Sequence, residues 1–211
     1  MASRSSSSKP RLVLATLNPA KARELEALLG EIPFEMIPLS VFEGARLPPE
    51  GEWSYLANAL GKARATARIA GALALADDSG LEVDALGGQP GVLSSRYGGP
   101  GLSDAERCAK LLDALQKAPP ERRRARFRCV IALVDPSGIE RVVEGVVEGV
   151  ITPEPRGSSG FGYDPIFLYP PLMRTFAELS PGVKDSVSHR GRAVAEARQI
   201  LSTWPQTLKP Q

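Results

Sequence analysis

The chain has 211 residues, about the length of one domain, and its 43% apolar and 24% charged content is ordinary for a globular protein. Its 26 basic and 24 acidic side chains nearly cancel, so no overall field favours nucleic acid or a membrane surface as a partner. No apolar run approaches the roughly 20 residues that a membrane helix needs. The two cysteines lack a C-x-x-C spacing, which is typical of reduced thiols and predicts a cytoplasmic protein.

Both ends of the chain are predicted to lie outside the folded domain. Residues 1–10, MASRSSSSKP, have polar serines where a signal peptide would carry an apolar core, and they indicate a disordered tail. Residues 205–211 are expected to form a second tail. Because no repeat or linker divides residues 11–204, we expect one domain there.

The pattern between these tails alternates strands with helices. Apolar runs predict strands at residues 11–16, 34–39, 72–76 and 81–86, and a long antiparallel hairpin at 124–135 and 139–151. N-capping side chains predict four helix starts, at Asn18, Ser54, Ser103 and Ser188. Residues 87–101 are rich in glycine and are interpreted as a long loop. The order predicts a mixed α/β fold with a cleft between two lobes.

Two adjacent carboxylates stand out. Asp77 and Asp78 end an apolar run and precede Ser79 and Gly80, which predicts an acidic turn at a strand's end, where open α/β sheets bind ligands. Such a pair is tolerated through a divalent cation, a shared proton or solvation, and the pair alone does not decide among them. With one histidine and two separated cysteines, a His/Cys zinc site is not expected, so any metal would be Mg²⁺ in oxygen ligands.

A second candidate site lies where the first strand passes into the first helix. In residues 16–21, TLNPAK, the backbone amides and the positive end of the helix face one point, which suits phosphate, and Lys21 adds a charge. An ordinary N-cap with a solvated lysine explains the same residues. Lys62 is interpreted as part of the polar face of its own helix, although it could point into a cleft.

The last third of the chain contains the aromatic and positively charged residues that are candidates for ligand binding. Residues 161–165, FGYDP, combine two aromatic rings with a glycine and a carboxylate, and such a loop either stacks on a base or plugs a small core. Lys184, His189 and Arg190 suit an anion or a base carbonyl, although a lone histidine is more often structural. Serine hydrolysis is a weak alternative because Ser79 has only His189 as a base and no G-x-S-x-G elbow is present.

The basic run at residues 122–128 is the best case for nucleic-acid binding. On a strand, however, Arg124, Arg126 and Arg128 would alternate with Ala125, Phe127 and Cys129, as on any half-exposed strand. We therefore expect no nucleic-acid partner and no membrane partner.

Taken together and in order, five motifs resemble the inosine triphosphate pyrophosphatase family: TLNPAK, ADDSG, LGGQPGVLSSRYGG, GFGYDPIF and SHRG. The resemblance covers about residues 11–204. It implies a homodimer with an elongated mixed sheet, and Mg²⁺-dependent hydrolysis of ITP, dITP and XTP to the monophosphate and pyrophosphate. The Glu-Asn-Ala of that family appears here as Ala57-Asn58-Ala59, which removes the acid at position 57.

The resemblance also implies roles for individual residues. Asp78 corresponds to the proton acceptor and a metal ligand, and Glu50 to a further metal-linked acid, with Glu52 or Asp77 as other candidates. The implied substrate-binding residues are Thr16, Leu17, Asn18, Pro19, Ala20, Lys21, Ser79, Phe161, Gly162, Tyr163, Asp164, Lys184, His189 and Arg190.

The implied chemistry agrees with these residue types. Mg²⁺ with Lys21 would neutralise phosphate charge while Asp78 orients water. A purine 6-oxo group would accept from Arg190 or His189, whereas the amino group of adenine would leave those donors unpaired. The alternative within hydrolases is a Maf-like pyrophosphatase acting on pyrimidine or modified triphosphates, although its serine- and arginine-rich opening motif is absent here.

Overall fold

The computed structural model describes residues 9–204, so the two predicted tails fall largely or wholly outside the described residues. The strands are β1 (Arg11–Leu14), β2 (Glu35–Pro38), β3 (Leu73–Val83), β4 (Pro90–Gly91), β5 (Arg124–Val134), β6 (Glu140–Ile151), β7 (Phe167–Tyr169) and β8 (Arg174–Thr175). The α-helices are α1 (Pro19–Leu29), α2 (Tyr55–Ala70), α3 (Asp104–Ala114), α4 (Pro181–Val187) and α5 (His189–Ser202).

The strands form one open mixed sheet, as predicted. Its order is β2-β1-β3-β5-β6-β7-β8, with β4 beside the far end of β3. β1 pairs in parallel with β2 and β3, whereas β3, β5 and β6 pair antiparallel. Across residues 9–204, no helix is both long enough and apolar enough to cross a membrane.

The predicted helix starts are confirmed by their capping contacts. The side-chain oxygens of Ser54 and Ser188 accept from Ala57 N and Gly191 N, and Asn18 Oδ1 accepts from Lys21 N. Ser103 and Glu106 form the predicted capping box. Caps of this kind satisfy amides that have no partner within the helix.

The predicted acidic turn is wrong. Asp77 and Asp78 lie in the middle of β3, because residues 74–83 pair continuously with residues 134–125 of β5. Gly80 is required there by a close approach rather than by a turn, since a Cβ atom would collide with the carbonyl oxygen of Gly91. The predicted loop at 87–101 also contributes β4, which pairs with this end of β3.

The continuous strand explains where the cleft lies. Successive side chains of a strand point to opposite faces, so Leu73, Leu75, Leu81 and Val83 share one face with Asp77 and Ser79. Leu73 and Leu75 pack in an apolar cluster with α1 and α5. Leu81 and Val83 pack in a second apolar cluster with α3. Asp77 and Ser79 lie between these clusters. On the other face, α2 packs its alanines against Ala74 and Ala76.

Candidate active site

A cleft of about 510 Å³ opens between the two apolar clusters. Ser79 of β3 and Phe127 of β5 line its floor, and residues of α1, α3, α4, α5 and the 161–164 loop line its walls. The cleft brings together most of the residues expected to bind substrate: Asn18, Lys21, Ser79, Phe161, Gly162, Tyr163, Asp164, Lys184, His189 and Arg190.

The remaining predicted residues lie beside the cleft or behind it. Thr16, Leu17 and Pro19 line a smaller crevice of about 240 Å³ at the start of α1. Ala20 is described only through its backbone, as part of α1. Asp78 and Glu50 lie on the α2 side of the sheet, where both approach Lys62.

Asp77 is the member of the acid pair that faces the cleft side, and it is almost fully buried at 2% exposure. Lys21 Nζ lies 2.9 Å from its Oδ1, and Arg190 Nε lies 3.3 Å from its Oδ2. Burial alone would raise the pKa of Asp77, but the charges of Lys21, Arg190 and Lys62 lower it below its usual range. Asp77 is therefore an ionised counter-ion for two cations, which argues against a place among the metal ligands.

Asp78 has a different environment. Its Oδ2 accepts from Asn58 Nδ2 at 2.9 Å, and its Oδ1 lies 3.6 Å from Lys62 Nζ. Burial raises the pKa of Asp78, and Lys62 and Asn58 offset this only in part. Glu50 Oε1 lies 2.6 Å from the same ammonium group, and Lys62 lowers the pKa of Glu50 against the effect of burial. Glu52 is exposed at the surface.

The interpretation of Lys62 as part of the polar face of its helix is wrong, because Lys62 is 5% exposed and lies between two carboxylates. Sequence reasoning also gave Asn58 no role. The sequence did contain a signal for this role. Asn58 and Lys62 are four residues apart, so they lie on the same side of α2. They lie next to the alanines that pack on the sheet, Ala59, Ala63 and Ala67. A polar pair on that side of a helix faces the interior.

The other end of the cleft carries the aromatic loop. The ring of Phe161 is half-exposed, and Lys184 Nζ lies 4.8 Å from its centroid. Asp164 shapes the loop, since it accepts from Phe161 N and pairs with Lys184. Tyr163 donates its hydroxyl to Ser94 O and is buried, so Phe161 is the exposed one of the two aromatic rings.

His189 lies behind this loop with one nitrogen unsatisfied. Its ring stacks on Phe127, with centroids 4.7 Å apart and planes inclined by 11°. Within the described part of the chain, Nδ1 has no hydrogen-bond partner although it is buried. Burial, together with the charges of Arg190 and Lys184, lowers the pKa of His189 well below its ordinary value, so the ring is neutral at neutral pH.

Arg190 is largely committed to protein groups. Besides Asp77, its guanidinium donates to Glu24 Oε2 at 3.0 Å and to Ser79 Oγ at 3.3 Å. Ser79 in turn donates to Asp77, so its hydroxyl belongs to this network rather than to a serine–histidine pair. Glu24 was not foreseen, because its partner lies 166 residues away in the sequence.

The basic run on β5 alternates as predicted. Arg126 pairs with Glu82, Asp84 and Glu148, and Arg128 pairs with Glu82 and Glu144. The positive charges of these two arginines are thus offset on the sheet surface by neighbouring carboxylates.

Comparisons with known proteins find relatives along almost the whole chain. The sequence profile of the Ham1 family matches residues 12–200. The dITP/XTP pyrophosphatase of Desulforamulus reducens is 47% identical over 91% of this chain and 96% of its own length, and that of Geobacter sulfurreducens is 49% identical over 90% and 96%. A solved structure of a HAM1 protein from Coxiella burnetii has a TM-score of 0.81 at 44% identity, covering 92% of this chain and 98% of that one.

Proposed function

This chain belongs to the Ham1 family, and we propose that it hydrolyses non-standard purine nucleoside triphosphates (dITP, ITP and XTP) to the nucleoside monophosphate and pyrophosphate. The observation that carries the proposal is the cleft itself. It brings together a lysine at a helix start, a half-exposed aromatic ring and the imidazole of His189. The names of the similar bacterial enzymes support the same substrates.

The start of α1 suits the triphosphate. A helix start presents unpaired amides and a partial positive charge, both of which favour anions. Lys21 lies on the first turn of α1 and is partly exposed, with its ammonium group held toward the cleft by Asp77. The triphosphate would therefore meet a positive charge that is already positioned.

We also propose that Mg²⁺ is required and that Glu50 and Asp78 hold it. Residues 9–204 contain no cluster of three or more histidine, cysteine or carboxylate ligands. Mg²⁺ nevertheless needs only one or two carboxylates when substrate phosphates and water complete its shell. Both carboxylates already face one cation, the ammonium of Lys62, so their oxygens suit the ion. When bound, Mg²⁺ would neutralise charge on the phosphates.

Asp78 is proposed as the group that accepts the proton of the attacking water. Although Asp78 lies on the α2 side of the sheet, the charge of Lys21 acts on it, so it lies near the start of α1, where the triphosphate is proposed to bind. Water adds to the α-phosphorus, the bond from that phosphorus to the bridging oxygen breaks, and pyrophosphate leaves. A carboxylate whose pKa is raised by burial is a better proton acceptor than an exposed one. Its Oδ2 is held by Asn58, which leaves Oδ1 available to orient water.

Replacing Lys21 should weaken triphosphate binding. We expect Lys21→Ala to raise KM for dITP by about tenfold or more, because a charge-assisted hydrogen bond contributes about 1.5–3 kcal/mol. Since one phosphate contact is shared by ground and transition states, kcat should change less. Lys117→Ala is the matched control, as it removes an exposed lysine that lines neither the cleft nor the crevice at the start of α1. An unchanged KM in Lys21→Ala would show that Lys21 does not contact phosphate.

His189 is proposed to read the base, with Phe161 stacking on it. A nitrogen of the His189 ring that donates into the cleft would bond a purine 6-oxo group, whereas the amino group of adenine would leave that donor unpaired. Arg190 has fewer donors to spare, because Asp77, Glu24 and Ser79 already accept from it.

His189→Phe isolates this contact, since phenylalanine keeps the stack on Phe127. We expect kcat/KM for dITP and XTP to fall about fivefold, the effect of about 1 kcal/mol, while that for dATP stays the same. An equal loss on all three substrates would instead assign His189 to the scaffold.

The proposed reaction is tested by its products. Purified protein is incubated with dITP, XTP, dATP and dTTP, with Mg²⁺ or with a chelator, and pyrophosphate and phosphate are measured separately. We expect pyrophosphate from dITP and XTP only when Mg²⁺ is present. Turnover of dTTP in preference to dITP would support the Maf-like alternative, and release of phosphate instead of pyrophosphate would contradict the proposed bond cleavage.

We further propose a cytoplasmic homodimer that does not bind nucleic acid. The resemblance implies the dimer, and the carboxylates that pair with Arg126 and Arg128 make that sheet surface a poor site for phosphates. Sedimentation of the purified protein tests whether it is a dimer. The salt dependence of any DNA binding tests whether the protein binds nucleic acid.

A further inference from the structure

One buried side chain bridges the carboxylate of Asp78 and the backbone next to Glu50. Asn58 Nδ2 donates to Asp78 Oδ2 at 2.9 Å and to Gly51 O at 3.2 Å, and Asn58 Oδ1 accepts from Gly51 N at 2.8 Å. Gly51 directly follows Glu50. Asn58 is 7% exposed, so these bonds are shielded from competition with water.

These bonds hold the carboxylate of Asp78 directly and the backbone that carries Glu50. Because Asn58 occupies Oδ2 of Asp78, the remaining oxygen, Oδ1, is the one that faces Lys62. The bonds to Gly51 fix the backbone beside Glu50, whose Oε1 approaches the same ammonium from the other side. The amide thus spans the gap between a loop and a strand that are distant in sequence.

We propose that Asn58 is a positioning residue that holds Glu50 and Asp78 at the separation a divalent cation needs. The proposal rests on the proposed function only in that the cation site serves the hydrolysis described above. It assigns Asn58 no contact with substrate. Residues that orient metal ligands in this way commonly change metal affinity about 10- to 100-fold when they are replaced.

Arg96 is a second side chain that holds the backbone of Glu50 and Gly51 in place. It donates to Glu50 O at 3.1 Å and to Gly51 O at 3.2 Å, and it is exposed. In the described structure it has no hydrogen bond to Asp78. If Arg96 alone ordered the segment, removing the amide of Asn58 would leave Glu50 in place.

The direct test is binding of Mn²⁺, which takes the same oxygen ligands as Mg²⁺, without nucleotide. Asn58→Leu keeps the branched shape of the side chain and removes its hydrogen bonds. We expect its Mn²⁺ affinity to be about tenfold or more weaker than that of the wild type. Ser54→Ala, which removes the N-cap of the same helix, should bind Mn²⁺ like the wild type. Equal affinity in Asn58→Leu, or no Mn²⁺ binding by the wild type, would overturn the inference.

Amide hydrogen exchange gives a second readout that needs no metal. In the wild type, the Gly51 amide should exchange slowly, because Asn58 Oδ1 accepts from it, and in Asn58→Leu it should exchange fast. Fast exchange of Gly51 in the wild type would overturn the inference even if the variant failed to fold. The product assay on the wild type is independent of both readouts, so failure of the positioning role can be distinguished from failure of the proposed function.

Discussion

Asp78→Asn should lower kcat for dITP by about 10²–10⁴-fold, the range expected for removal of a proton-accepting group. Asparagine has nearly the same size and keeps an oxygen that can accept from Asn58, so the fold should be retained. Glu50 remains as a counter-ion for Lys62. The measurement is steady-state turnover alongside circular dichroism and a thermal melt.

A matched control lies on the same face of the same strand. Glu82 is also a carboxylate of β3, but it pairs with Arg128 away from the cleft. Glu82→Gln should leave kcat unchanged. If a folded Asp78→Asn protein turned over dITP at the wild-type rate, Asp78 would not be the proton acceptor.

Asp77→Asn should mainly affect stability. Removing one partner of a buried ion pair destabilises a protein by about 3–5 kcal/mol, because the other charge is left uncompensated. We expect the free energy of unfolding to fall by about 3 kcal/mol, because Lys21 is partly exposed to solvent and Arg190 keeps its ion pair with Glu24. For a chain of this size that corresponds to a fall in Tm of about 6–12 °C. Asp84→Asn, which removes a more exposed partner of Arg126, should change stability by less than about 0.5 kcal/mol.

The same variant has a predicted pH dependence. The pKa of Asp77 is lowered in the folded protein, so its stabilisation is fully present above the unfolded pKa of about 3.9 and is lost as pH falls toward the folded value. The stability difference between wild type and Asp77→Asn should therefore shrink below about pH 4. Chemical denaturation at neutral pH and in acid measures it. A difference that grew in acid would show that Asp77 is not ionised in the fold.

Local patterns predicted most of the secondary structure. N-caps such as Ser54 and the capping box at Ser103 act over three residues, so they can be recognised directly in the sequence. The hairpin of β5 and β6 followed from alternation around a short turn. The acidic stretch was misread because the pairing that keeps residues 77–80 extended comes from β5, whose residues lie about 50 positions later.

The sequence predicted most residues of the candidate site but not their arrangement in space. The five motifs placed Lys21, Phe161 and His189 near one another, and the structure brings them to one cleft. No pattern in the sequence showed that Asp77 and Asp78 serve opposite faces of the sheet, because this depends on their position within a strand rather than in a turn. The roles of Glu24 and Lys62 depend on long-range pairing in the same way.

The central claim is that this cleft selects dITP and XTP over dATP and releases pyrophosphate. It is tested most directly by giving the protein an equimolar mixture of dITP, XTP and dATP with Mg²⁺ and following the monophosphates by chromatography. The account predicts that dIMP and XMP appear first, each with one equivalent of pyrophosphate, while dATP persists. Consumption of dATP as fast as dITP, or diphosphates as the products, would contradict it.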